Sequence, residues 1–373
     1  MTISLRRVRV LVQKEFRQLF RDPKTKRIVF AAPIIQLLLF GYAVNTDVRN
    51  VATIVVDQDQ TGESRLLKET LTASGYFRIT EEGDEPGDIE GALDAGSAVV
   101  GLQIPPGFAR ELKAGREATV QVLIDGTSSN TATVAQGYAG RIIQEFASER
   151  AAERGMALEG GLDFRARSWY NPDLSSQVYN VPGVIGLLLL LMALLLTALA
   201  VVRERELGTL EQLMVSPIHP RELILGKTIP VIVICMVDLA LITVIGLLWF
   251  QIPLRGSLPA LVLASFLYVL AGLGLGLFIS TISRTQQEAF LTMFLFILPA
   301  IILSGFMYPV DTMPVSFQYL TLLNPVRYFM EVVRGIFLKG QGVMELWTHF
   351  LVLGAMGALA VWGASKRFRK RLE

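Results

Sequence analysis

Residues 178–202 read VYNVPGVIGLLLLLMALLLTALAVV, a run with no charged side chain. A bilayer core takes about 20 mostly apolar residues in a helix, so the run is long enough to span one. A charged stretch follows at once, residues 203–227, RERELGTLEQLMVSPIHPRELILGK. The boundary between the two marks where a span leaves the membrane. Outward from it, residues 28–44, 229–250, 258–282, 289–308 and 346–364 pass the same length test. The chain therefore reads as an all-α polytopic membrane bundle of six transmembrane helices.

The composition agrees. Of 373 residues, 52% are hydrophobic and 18% charged, against about 25% charged in a typical soluble domain. The single cysteine, Cys235, excludes an intrachain disulfide framework and a cysteine-based zinc cluster. It lies in an apolar run and reads as a packed thiol.

Lysine and arginine bias orients the spans. Residues 1–27 carry nine basic residues, the link 203–228 carries more, and the tail 365–373 is basic, whereas the connection 251–257 holds only Arg255. Both termini are expected in the cytoplasm. The segment 1–27 has Leu5, Val8, Val12, Phe16, Leu19 and Phe20 at helical spacing with a basic opposite face, as in a helix lying on anionic membrane lipid. It is far too long for a signal-peptide n-region, so the first span is expected to stay uncleaved.

Residues 45–177 then lie outside, with 21 acidic and 12 basic residues, a net of −9. They read as an inserted α/β extracytoplasmic domain. Strands are expected at 51–56, 76–80, 98–103 and 118–124, helices at 63–73 and about 131–154, and an acidic loop at 81–88. Asp57 and Asp59 have two readings, a solvated turn or a cation site.

Gly226-Lys227-Thr228 matches the end of a phosphate loop. The required first glycine would fall on Arg221 and no strand precedes it. Gly226 instead reads as a close-packing position and Lys227 as a residue at the cytoplasmic interface. No nucleotide-binding motif is present, so ATP would have to be used elsewhere. In 203–228, Thr209 and Gln212 fit a capping box opening a short helix with Leu210, Leu213 and Met214 on one face. Pro217 and Pro220 break it. Such a helix suits a groove on a soluble partner; the other reading is a surface loop.

That segment resembles the signature of the ABC-2 type exporter permeases. Lys14-Glu15 with Arg21-Asp22-Pro23 resembles the family's connecting helix. Val55-Val56-Asp57, Ile104-Pro105-Pro106-Gly107-Phe108 and Asp125-Gly126 resemble the subgroup with a large extracytoplasmic domain after the first span. Asn324-Pro325 through Tyr328, Glu331, Arg334 and Gly335 resembles the segment before the last span. The resemblance implies a transport subunit, not an enzyme, that moves drugs, lipids or other amphipathic molecules out of the cell. It implies ATPase-coupling residues at Glu204, Thr209, Leu210, Glu211, Gln212, Leu213, Met214, Ser216 and Pro217. A second permease, identical or related, and a cytoplasmic ATPase holding ATP and Mg are the implied partners, with room for a periplasmic adaptor. The chain itself is expected to hold no cofactor or metal and to bind no nucleic acid.

In residues 309–342, Asn324-Pro325 is a plausible helix start, and Arg327, Glu331 and Arg334 can share one face. A re-entrant helix and an external amphipathic hairpin both fit. The resemblance puts Asn324, Pro325, Tyr328, Glu331 and Arg334 at the outer gate. Asp238, inside the third span, either lines the pathway or caps a neighbouring helix. Gly272, Gly276 and Ser280 form a small-xxx-small stripe expected to pack within the bundle. Two other functions are compatible with a polytopic chain. One is a membrane sensor or envelope-partner dock; the other is an ion-driven carrier, whose internal repeats are not visible here.

Overall fold

The computed structural model describes residues 4–21, 23–43, 49–127, 129–153, 170, 175–209 and 218–370. It divides into two compact units, Thr46–Arg167 and the remainder, Met1–Asn45 with Ser168–Glu373.

In the larger unit, α1 (Leu5–Arg21) precedes α2 (Pro23–Ala43). After the inserted unit come α7 (Ser176–Glu206), α8 (Pro220–Leu248), α9 (Leu258–Ile282) and α10 (Gln286–Ile302). Two short helices follow, α11 (Val315–Thr321) and α12 (Pro325–Arg334), then a π-helical turn at Gly335–Lys339 and α13 (Trp347–Lys370). Among the described residues, five helices are long and apolar enough to cross a membrane, and α10 is a shorter apolar helix.

Helix α10 departs from the sequence expectation of a span over 289–308. It starts earlier because the Thr285 side chain caps it, accepting from the Glu288 amide. It ends earlier because Gly305 adopts a left-handed conformation, φ +78°, which closes helices rather than continuing them. The apolar run thus outlasts its helix.

Helix α7 is the centre of the bundle. Side chains such as Ile185, Ala193 and Val202 are almost completely buried. Gly272 and Gly276 of α9 lie against Ala193 and Thr197, where an added Cβ would come within 2.9 and 2.8 Å of them. The small-residue stripe therefore packs α9 on α7 within one chain. Gly274 faces the other way, onto Ala360 of α13. Tyr268 donates to the Gly186 carbonyl at 3.2 Å and stacks on Phe329, ring centroids 4.2 Å apart. Indole and phenol rings mark the two ends of the bundle, as at membrane interfaces. Trp249 donates to Tyr42 at one end, and Lys366 lies over Trp362 towards the other.

The smaller unit is a four-stranded sheet in the order β2-β1-β3-β4, with β1 at Val51–Asp57, β2 at Phe77–Gly83, β3 at Val100–Ile104 and β4 at Gln121–Ile124. Strand β1 is parallel to both neighbours, and β4 is antiparallel to β3. Side chains of a strand alternate between faces. Val51 and Val55 accordingly join one core with α3 (Gly62–Ala73), α5 (Phe108–Lys113) and α6 (Ser129–Glu153), while Ile54 and Val56 meet Ile89 and Ala92 of α4 (Pro86–Ala95). The expected acidic loop at 81–88 is instead the end of β2 and the start of α4. Glu81 to Gly83 pair with β1, and Asp88 accepts from the Asp84 and Glu85 amides.

Asp57 and Asp59 are neither a free turn nor an open cation site. Asp57 accepts from the Gln60 amide and the Ser64 hydroxyl. Asp59 accepts from the Gly107 and Ala109 amides at 2.8 and 3.0 Å and from the Thr61 hydroxyl at 2.7 Å. Partial burial raises the Asp59 pKa, but the bond from Thr61 and those from the Ala109 and Gly107 amides outweigh it and hold it below the ordinary carboxylate value. No group of metal-ligating side chains is present among the described residues.

Candidate functional site

The charged end of α7 is bonded to four other helices, to α1 near its middle and to α8, α9 and α10 near their ends. Glu204 is 4% exposed and accepts from Lys14 of α1 at 2.8 Å, while its other oxygen lies 3.0 Å from the Lys227 ammonium of α8. Lys227 also donates to Glu15 of α1 at 3.1 Å and to the Ala200 carbonyl at 3.0 Å. Two lysines and two glutamates thus form a neutral, largely buried box across α1, α7 and α8. Such a box holds only if each charge is met, because an unmet buried charge is costly. Next along α7, Arg205 donates to the Ser280 and Ser283 carbonyls at the end of α9, at 2.9 and 2.6 Å. Glu206 accepts from Gln286 at the start of α10.

Lys227, expected at the cytoplasmic interface, has its ammonium inside this box. Gly226 does serve close packing: an added Cβ would sit 2.6 Å from Cβ of Leu11. Glu222 fastens the other end of α1, accepting from the Ser4 amide at 2.7 Å and the His219 amide at 3.0 Å, with Arg7 at 3.6 Å. Sequence reasoning gives Arg205 and Glu222 no role and names Lys227 without its partners. A lysine entering a long apolar helix needs a counter-charge, and that signal was present at Lys227.

Of the expected coupling residues, Thr209 donates its hydroxyl to the Glu204 carbonyl at 3.2 Å, beside a left-handed Gly208. Leu210, Glu211, Gln212, Leu213, Met214, Ser216 and Pro217 lie outside the described residues.

A second site forms around α12. Its Val326, Phe329, Val332 and Val333 are fully buried, as are Ile336 and Phe337 of the π turn. Asn324 caps α12, accepting from the Val326 amide at 3.1 Å, and donates to the Ala300 carbonyl at 2.7 Å near the end of α10. Pro325 takes the first helical position. Tyr328 donates to Leu322, and Glu331 meets His349 of α13 at 2.6 Å and Arg327 at 3.6 Å. Arg334 donates to the Gly305 carbonyl at 3.1 Å and lies 3.9 Å over the Tyr179 ring of α7. The expected outer-gate residues thus share one segment, although their bonds run to α7, α10 and α13 rather than to one point.

Asp238 stands apart from both sites. It is 1% exposed and neither carboxyl oxygen has a hydrogen-bond partner. It does not cap a neighbouring helix. Placing such a group mid-membrane costs about 2.5 kcal/mol or more.

A bundle of long apolar helices around one central helix, with a buried ionic junction at the end of that helix, is the build of an integral membrane protein. The family model described as ABC-2 family transporter protein matches residues 27–366. The chain belongs to the ABC-2 transporter family. It is 32% identical to "Probable multidrug ABC transporter permease YbhR" of Escherichia coli (strain K12), over 98% of this chain and 99% of the relative. It is 33% identical to "Probable multidrug ABC transporter permease YbhS" of the same organism, over 100% and 99%. "ABC transporter G family member 20" of Dictyostelium discoideum is 22% identical over 91% of this chain, which covers 48% of that protein. The chain is a permease subunit of an ABC exporter, and its family works with an ABC ATPase and a second permease subunit.

Proposed function

We propose that this permease moves drugs, lipids or other amphipathic molecules out of the cytoplasm or inner leaflet. It does so as one of two six-helix subunits, identical or related, with α10 as the sixth span. In this reading both termini lie in the cytoplasm of a bacterial cell and the acidic unit lies outside, where a periplasmic adaptor has access. ATP and Mg are held by the partner ATPase, and this chain catalyses nothing itself. Segment 325–339 is a re-entrant element at the outer mouth; non-helical backbone at membrane depth is tolerated only where protein buries it. The apolar outer face of α10, including Leu291, Leu295 and Leu298, then meets lipid or the second permease.

The observation that carries the reading is the junction at Glu204. The loop that follows α7 is the segment expected to dock on the ATPase. The last turn of α7, which leads into it, is bonded through Glu204 and Arg205 to α1, α8 and α9. A push on that loop is thereby delivered to four helices together. The test is co-purification and reconstitution with the ATPase. Substitutions at Glu211 and Leu213 are expected to uncouple hydrolysis from export while leaving the fold intact. If both activities are unchanged, the coupling assignment is wrong.

A further inference from the structure

We propose that Asp238 recognises the positively charged head of a cationic amphiphile, and that the two meet when α7 and α8 part during the transport cycle. This rests on the exporter reading above and adds a substrate class to it.

The first support is the state of the carboxyl group. Both oxygens are unpaired and the residue is 1% exposed, the costliest condition for an acid within a membrane. A role in packing alone would be better filled by an apolar side chain, and a capping role would leave a hydrogen bond that is not there. The second support is where the cations lie. Lys227 is committed to Glu204 and Glu15 and is about 16 Å away along the helix at 1.5 Å per residue. Arg255 lies beyond the far end of α8. Among the described residues, no ion pair includes Asp238.

The third support is accessibility. The carboxyl oxygens expose almost no surface even in the single chain. A second subunit docking from outside therefore cannot reach them. Whatever pairs with Asp238 must enter through movement of this chain's own helices. The contacts of α8 identify which. Lys227 bonds to Ala200 at one end, and a Cβ added at Gly246 would sit 3.9 Å from the Val181 side chain and 4.0 Å from that of Ile185 at the other. The two helices are thus antiparallel, and Asp238 is level with the middle of α7. Their inner ends are pinned by the ionic box, so separation above that pin uncovers Asp238 towards the bundle interior. Parted apolar helix faces with one carboxylate between them select an amphiphile carrying an ammonium-type charge, by the same economy that makes intramembrane acids pair with cations.

Cys235 supplies the readout. It is the chain's one cysteine, fully buried, and one helical turn from Asp238. The permease reconstituted with its ATPase in proteoliposomes is tested with ethidium, a permanent cation, and Nile red, a neutral amphiphile. Asp238→Asn is expected to lower ATP-driven ethidium transport at least tenfold while Nile red transport stays within twofold; Asp238→Glu is expected to retain ethidium transport. In the wild type, turnover is expected to speed modification of Cys235 by N-ethylmaleimide, and ethidium to slow it. Equal handling of both dyes by the Asn variant overturns the proposal, as does Cys235 labelling indifferent to ethidium. If the Asn variant does not accumulate, the wild-type labelling result decides. A wild type that moves Nile red but not ethidium sinks the cation proposal and leaves the exporter reading standing. One that hydrolyses ATP and moves neither dye sinks the exporter reading, and the proposal with it.

Discussion

Lys227 and Glu204, 23 residues apart in sequence, meet at 3.0 Å with both side chains almost wholly buried. Removing one partner of a buried pair strands the other, at a cost of about 3–5 kcal/mol. Lys227→Met and Glu204→Gln alone are each expected to lower the unfolding midpoint sharply in detergent. The double variant is expected to recover at least half of the summed loss. A double-mutant cycle by thermal unfolding measures this, and strict additivity would show that the two charges do not depend on each other.

In the sheet unit, Asp59 ties α5 to the turn after β1. Its depressed pKa fixes the sign of the pH effect. The stabilisation is present above the ordinary unfolded value, about 3.9, and is lost as pH falls through the lower folded value. The Gly107 and Ala109 amides are expected to keep their protection at neutral pH and to lose it only once pH falls below the ordinary carboxylate range. Asp59→Asn should weaken them at neutral pH by about 1.5–3 kcal/mol, read by hydrogen exchange on the full chain. Unchanged protection in the variant would remove Asp59 from this role.

Arg334 is expected to resist its conservative replacement. Lysine has no planar face to lay over Tyr179 and holds its charge as a point. Arg334→Lys should therefore cost about 1–2 kcal/mol of stability and reduce export several-fold, while basal ATP hydrolysis by the complex persists. Wild-type export by the lysine variant would place the arginine outside the outer gate.

What was legible in the sequence follows from how local each signal is. The run at 178–202 needs no partner to be read as a span, and the small-residue stripe on α9 announces its own close packing. The four charges of the inner box were not legible as a group, because Lys14 and Lys227 are far apart in the chain and each resembles an ordinary interfacial lysine. Strand β2 reads short because the alternation of Phe77 and Ile79 with Arg78 and Thr80 stops at Glu81 and Glu82, where an edge strand carries no apolar side chain. The end of α10 was misplaced because hydropathy continues through Gly305, whereas the helix stops for a backbone reason. Asp238 was visible as an oddity, but only its unpaired state separates a cap from a waiting site.

Gly256 shows how little slack the α8–α9 connection has. Its amide donates to the Ile336 carbonyl at 2.8 Å, and the Arg255 amide donates to Phe337 at 3.2 Å. The π turn is thus held by backbone from another part of the chain, where π geometry frees carbonyls that an α-helix would occupy. A Cβ on residue 256 would fall 2.8 Å from the Ile336 oxygen and 2.9 Å from the Gln341 oxygen. Both obstacles are backbone, so no side-chain rotation relieves them. Gly256→Ala is expected to displace the π turn and cost about 1–3 kcal/mol. Gly363→Ala, inside α13 where an added Cβ meets nothing within 4 Å, should stabilise by up to about 1 kcal/mol. Thermal unfolding of the two variants side by side checks the contrast. Equal midpoints would mean that the turn can shift freely, and that the connection does not hold it in place.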